Sequence, residues 1–83
     1  MERSWSSILR VKVIPLYPLN KRIKEGWYSL PDLCTVLEML RNIGLEEKVI
    51  TEVRVIGDGG FLRHEQMVQD GMTFALMPTF AGG

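Results

Sequence analysis

A chain of 83 residues, 46% hydrophobic and 24% charged, has the size and composition of one folded domain, which excludes disorder and collagen-like repeats. Ten Lys and Arg balance ten Asp and Glu, so no global field draws the chain to nucleic acid or to an anionic membrane, and neither is expected as a partner. One cysteine, Cys34, and one histidine, His64, supply neither a disulfide framework nor the ligands of a typical zinc site, so no bound metal is expected.

The first element is "ILRVKVI", Ile8 to Ile14, where Leu9, Val11 and Val13 alternate with Arg10 and Lys12, the period-2 pattern of a strand with one buried face. "PLYPLNK" follows, and its two prolines and Asn20-Lys21 pair break the strand. A second strand is expected from about Arg22 to Tyr28, with Gly26 as a bulge. "SLPDLCTVLEMLRNIG" predicts a helix: Ser29 caps it three residues before Asp32, Pro31 fits its first turn, and Gly44 ends it. Leu33, Val36, Leu37, Leu40 and Ile43 make its apolar stripe, with Glu38, Arg41 and Asn42 turned to solvent.

After a polar link at Leu45 to Lys48, "VITEVRVI", Val49 to Ile56, is branched enough for a third strand. "GDGG", Gly57 to Gly60, turns into a short strand around Phe61 to Arg63. "HEQMVQDG" then leads through the Asp70-Gly71 turn to a last strand, Met72 to Pro78, with Met72, Phe74 and Leu76 on one face and Thr73, Ala75 and Met77 on the other. One helical stripe buried against one sheet face is the smallest solution for this order. The expected fold is α+β, a β-grasp with a mixed sheet of four to five strands and one main helix across it. It spans residues 1–83 as a single domain, with 79–83 as a flexible tail.

The chain closes on "LMPTFAGG". Terminal glycines pack no side chain and lose more conformational freedom on ordering than any other residue, so stability does not explain them. At an average glycine usage of about 7%, two arise at a chain end by chance about once in 200 chains. Against chance stand the extended approach "PTFA", the chain length, the order of elements and the lack of other chemistry.

"QDGMTFALMPTFAGG" resembles the end of the ubiquitin-like sulfur carriers, the MoaD and ThiS family. The matching positions are Asp70, Gly71, the strand Met72 to Met77, Pro78, Gly82 and Gly83. The likeness extends to element order along nearly the whole chain, and by length and by "ALMPTFAGG" it points toward the molybdopterin synthase small subunit. The chain departs from the family in having "PLYPLNKR" in place of an aromatic-Ala-Arg stretch, Met72 after the glycine of the last turn, and Gly57 to Gly60 before the fourth strand.

The resemblance implies that the Gly83 carboxylate is adenylylated by an E1-like adenylyltransferase using ATP. A sulfur donor such as a cysteine desulfurase then supplies the sulfur of a thiocarboxylate, and an acceptor such as a molybdopterin synthase large subunit receives it. The chain itself would be a carrier and not an enzyme, binding no cofactor. Two glycines suit this role because a backbone without side chains threads a narrow channel. Phe80 lies past the last strand, where self-burial is hard, and aromatic residues are favoured interface anchors. Met77, Pro78, Thr79, Phe80 and Ala81 are therefore expected to dock on the partner while Gly82 and Gly83 enter its site, and Phe80→Ala is expected to weaken that docking with little loss of thermal stability.

Other motifs read more plainly. "GDGG" lacks the following helix of a phosphate-cradling loop and is expected to be a hairpin turn. Cys34, near the helix N-terminus, is read as a boundary packing residue in preference to an activated thiol. His64 beside Glu65 is read as a surface residue, since catalysis needs a third group and a pocket. Lys21, Arg22 and Lys24 read as a solvated edge and not as a phosphate site. No stretch reaches the ~20 apolar residues of a membrane span and "MERSWSSILR" is no signal peptide, so a cytoplasmic location is expected. Three rival readings remain: a thiamine-type sulfur carrier, a ubiquitin-like modifier joined to lysines through Gly83, and a plain β-grasp interaction module.

Overall fold

The computed structural model describes residues 8–79 of the chain. Its first strand, β1 (Ile8–Pro15), buries Val11, Val13 and Pro15 and leaves Ile8 and Arg10 exposed, as the alternation of residue types requires. The proline-containing segment after it makes a short 3-10 turn at Leu19–Lys21 that buries Leu19. Arg22 and Ile23 then each donate a backbone hydrogen bond to the Leu19 carbonyl, which holds Ile23 in the core.

This turn corrects the expected second strand. Arg22 and Ile23 are spent closing it, so β2 runs Gly26–Pro31 in place of Arg22 to Tyr28, and Gly26 starts the strand opposite Val13 without forming a bulge within it. The helix is corrected in the same way. Ser29 and Pro31 belong to β2, and α1 spans only Val36–Asn42. Its cap is Thr35, whose hydroxyl accepts from the Glu38 amide at 3.1 Å while the Glu38 carboxylate accepts from the Thr35 amide at 2.9 Å. That reciprocal pair satisfies two amides that would otherwise lack partners. Leu33, expected on the buried stripe, lies in the turn before the cap at φ 58 and 77% exposed, while Val36, Met39, Leu40 and Ile43 carry the buried face.

A second short helix, α2 (Glu47–Ile50), takes up Val49 and Ile50, so β3 is Val53–Gly57 and not Val49 to Ile56. The expected hairpin follows: Gly57 pairs with Gly60 around Asp58-Gly59, and β4 is Gly60–Leu62. Gly59 holds φ 92, a conformation that side chains resist and glycine accepts. The last strand, β5, is Thr73–Pro78.

The five strands form one sheet in the order β2-β1-β5-β3-β4, with β5 parallel to β1 and the other pairs antiparallel. This is the β-grasp, ubiquitin-like arrangement that the order of elements predicts. Val11, Val13, Val55, Phe74 and Leu76 on one sheet face meet Val36, Met39 and Leu40 of α1, and all eight are fully buried. The Asp70-Gly71 turn fixes the register of β5. The Asp70 carboxylate accepts from the Arg10 amide and the Gly71 amide donates to the Arg10 carbonyl, both at 2.8 Å.

Candidate functional site

β5 lies in the middle of the sheet. β1 pairs with it on one side from Lys12↔Thr73 to Pro15↔Leu76, and β3 on the other from Ile56↔Ala75 to Val53↔Pro78. A strand bonded along both edges is the stiffest base the fold offers for whatever follows it. Beyond Pro78 the chain is held once more: the Thr79 amide and hydroxyl both donate to the Glu52 carbonyl, at 2.7 and 2.9 Å. Thr79, placed by sequence in the tail, is thus bonded to the residue preceding β3. Phe80, Ala81, Gly82 and Gly83 lie outside the described residues.

Met77 and Pro78 are both half-buried. Register puts Met77 opposite Arg54 on the sheet face away from α1. Ile14, Ile56 and Ala75 share that face, half-buried by one another's company, and Phe61 stands exposed at its β4 edge. Cations border this apolar centre: Arg54 lies 5.5 Å from the Phe61 ring centroid, and Arg10 and Lys12 project from β1. None of the five strands contains an Asp or Glu. Leu16, whose amide donates to the Leu76 carbonyl, and the exposed Tyr17 bring further apolar surface to the end of the sheet where β5 leaves it.

A groove of about 500 Å³ opens beside Thr79, walled by Thr51, Arg54, Phe61, Arg63, His64 and Thr79. No local sequence pattern signals it, because it gathers residues from three separated segments. His64 is half-buried, its carbonyl accepting the Leu37 amide at 2.9 Å. Glu65 faces Arg63 at 3.9 Å, an exposed pair, and supplies the histidine with no catalytic partner. A second groove, between the Asp58 hairpin turn and Asp70, lies at the opposite end of the sheet.

Cys34 is buried just before the helix cap, and burial with the neighbouring Glu38 charge pushes its thiol above the ordinary cysteine value. That is the reverse of an activated thiol, and it places Cys34 in the core and not at its boundary. Among the described residues, no group of three or more His, Cys, Asp or Glu gathers to hold a metal ion, and no helix is long and apolar enough to cross a membrane. The described part of the candidate site is the solvent face of the sheet and the Thr79 end of β5.

No family model matches the chain, and no curated protein sequence does. Among solved structures it is similar to SAMP1 from Haloferax volcanii, a ubiquitin-like β-grasp protein, at 14% identity and a TM-score of 0.60, over 89% of this chain and 99% of that one. At that identity the likeness is one of fold.

Proposed function

We propose that the chain is a ubiquitin-like sulfur carrier whose Gly83 carboxylate is the reactive group. The observation that carries the reading is the course of β5: the central strand is gripped along both edges and anchored at Thr79, and in sequence it runs straight on into "FAGG". Four residues past Thr79 span at most about 14 Å, enough to place a bare glycine backbone inside a partner while the domain stays outside. An E1-like adenylyltransferase would join a Gly83 carboxylate oxygen to the α-phosphorus of ATP and release pyrophosphate. The terminal sulfur of a persulfide, supplied by a donor of the cysteine desulfurase kind, would displace AMP to form an acyl disulfide. A second thiol would cleave that S–S bond, becoming a disulfide with the carrier's former sulfur donor and leaving Gly83 as a thiocarboxylate.

This chain contributes no acid or base to those steps. Its part is to dock and to present, through Met77, Pro78, Thr79, Phe80 and Ala81, with Gly82 and Gly83 in the partner's channel. The apolar centre around Met77 and Ile56, bordered by Arg54, supports docking on that face. The acceptor we favour is a molybdopterin synthase large subunit, on the resemblance of "ALMPTFAGG" to the small subunit of that enzyme.

Intact-mass measurement on protein isolated from its native cells, with fragmentation, tests the reading. One oxygen replaced by sulfur at Gly83 is the expected result. An unmodified Gly83 in every form, under conditions that preserve thiocarboxylates, refutes it. The structural likeness to SAMP1 keeps one second reading, a modifier, for which branched fragments joining Gly83 to a lysine are the signature. Deleting Gly82 and Gly83 abolishes transfer in either case and leaves the domain folded, whereas a plain interaction module would keep its binding.

A further inference from the structure

The outer strand β2 carries features that the tail chemistry leaves unused. It pairs with β1 along one side, and among the described residues no segment pairs with the other. In an antiparallel pair, alternate residues turn their N–H and C=O groups away from the partner, so an edge strand is a template for another chain. Proteins blunt such edges with charged side chains, bulges or mid-strand proline. "GWYSLP" has no charge and no bulge, and its one proline is its last residue. The opposite edge, β4, is only three residues long and offers little to pair with.

The neighbouring side chains define what the open edge would accept. Trp27 is 52% exposed on the solvent face, with Lys12 as its register partner and the Arg10 guanidinium 5.7 Å from its ring centroid. Ile8, 59% exposed, lies opposite Pro31 farther along. Apolar anchors beside two cations, on a face whose strands hold no carboxylate, complement a segment that carries both apolar and acidic residues.

We propose that the β2 edge binds an extended acidic segment of a partner protein as a sixth strand. Its backbone pairs with Gly26–Pro31, an apolar side chain covers Trp27, and its carboxylates meet Arg10 and Lys12. Main-chain hydrogen bonds supply affinity and the alternate side chains supply specificity. A second copy of the chain fits less well, because joining two β2 edges would gather four cations on one face with no carboxylate between them. The proposal is independent of the chemistry at Gly83.

The test is an amide chemical-shift titration of the full chain with the capped synthetic peptide Asp-Glu-Val-Ile-Val-Leu-Asp-Glu. Shifts confined to residues 26–31 and to Arg10 and Lys12, with slowed exchange of β2 amides, are expected. Reversing both charges, Arg10→Glu with Lys12→Glu, should weaken binding about tenfold, and Trp27→Ala at least about fivefold. The same peptide methylated on alternate backbone nitrogens should not bind, a control that leaves the protein untouched. Shifts centred on Phe61 and Met77 with β2 unmoved, equal binding of a peptide with lysines in place of the acids, or no binding at millimolar peptide would overturn the proposal. So would β2 shifts that track protein concentration without peptide, which would make the edge a dimer interface.

Discussion

Replacing Leu33 should invert the usual stability order of alanine and glycine. Leu33 holds φ 58 in the turn between β2 and the Thr35 cap, with its side chain 77% exposed. A side chain at that φ brings Cβ close to the following carbonyl oxygen, at a cost of about 1–2 kcal/mol. Leu33→Ala keeps Cβ and so keeps that cost. Leu33→Gly removes it, at about 0.5–1 kcal/mol of extra backbone entropy in the unfolded chain. Both variants lose the same small amount of leucine burial, so their difference isolates the backbone conformation. Leu33→Gly should be the more stable of the two by about 0.5–1 kcal/mol, which for a domain this size is a melting-temperature gap of roughly 2–8 °C. Urea and thermal denaturation of both variants measure it. Arg41→Ala and Arg41→Gly, on the exposed face of α1, serve as the control and should show the ordinary order, with alanine ahead by about 1 kcal/mol. If Leu33→Ala equals or exceeds Leu33→Gly, the strained turn assigned to Leu33 is wrong.

Thr35→Ala removes one arm of the capping pair with Glu38 and should cost about 1 kcal/mol, read from the urea midpoint; an unchanged midpoint would mean the cap contributes nothing. Thr79→Val deletes the hydroxyl bond to the Glu52 carbonyl and keeps the amide bond, so a loss of roughly 0.5–1 kcal/mol with faster exchange of the Thr79 amide is expected, and unaltered exchange would refute the anchoring. Cys34, raised above the ordinary value of 9.0 by burial and by Glu38, stays a neutral thiol in the folded protein while the unfolded chain ionises first. The unfolded state then binds fewer protons, so this group's effect is to lower stability as pH rises above about 9. Alkylation at pH 8 should accordingly be much slower in the native protein than in urea, and equal rates would show the thiol to be accessible and unshifted.

What the sequence disclosed depended on which signals had competitors. β1 was legible because five alternating residues admit no other period, and the "GDGG" hairpin because glycine-rich chemistry with no helix after it has one simple use. The helix start carries two competing signals. Thr35 and Glu38 stand three apart, the capping-box spacing, but so do Ser29 and Asp32, and the proline in the first turn favoured the earlier pair. The pairing of Ser29 with Arg10 across the sheet decided against it, and no local pattern reports such a partner. Val49 and Ile50 tell the same story: their branching favours a strand, yet they pack into the core from α2, a case of tertiary contact overriding propensity.

The candidate site divides along the same line. That two glycines follow β5 is readable from the order of residues alone, and the proposal of a reactive tail rests only on what glycines permit. The fastening of Thr79 to Glu52 is not readable there, since it joins residues 27 apart in the chain, nor is the acid-free solvent face, which exists only once five strands are laid side by side. Every Asp and Glu among residues 8–79 lies outside the strands, so a chain with a formal net charge of zero presents a sheet face of Arg10, Lys12 and Arg54 around an apolar centre. Net charge averages over directions, whereas a partner meets one face at a time. The neutral composition that excludes general attraction to polyanions is therefore compatible with a surface selective for acidic protein partners, and the Thr79 end of the central β5 and the β2 edge lie on different parts of that sheet.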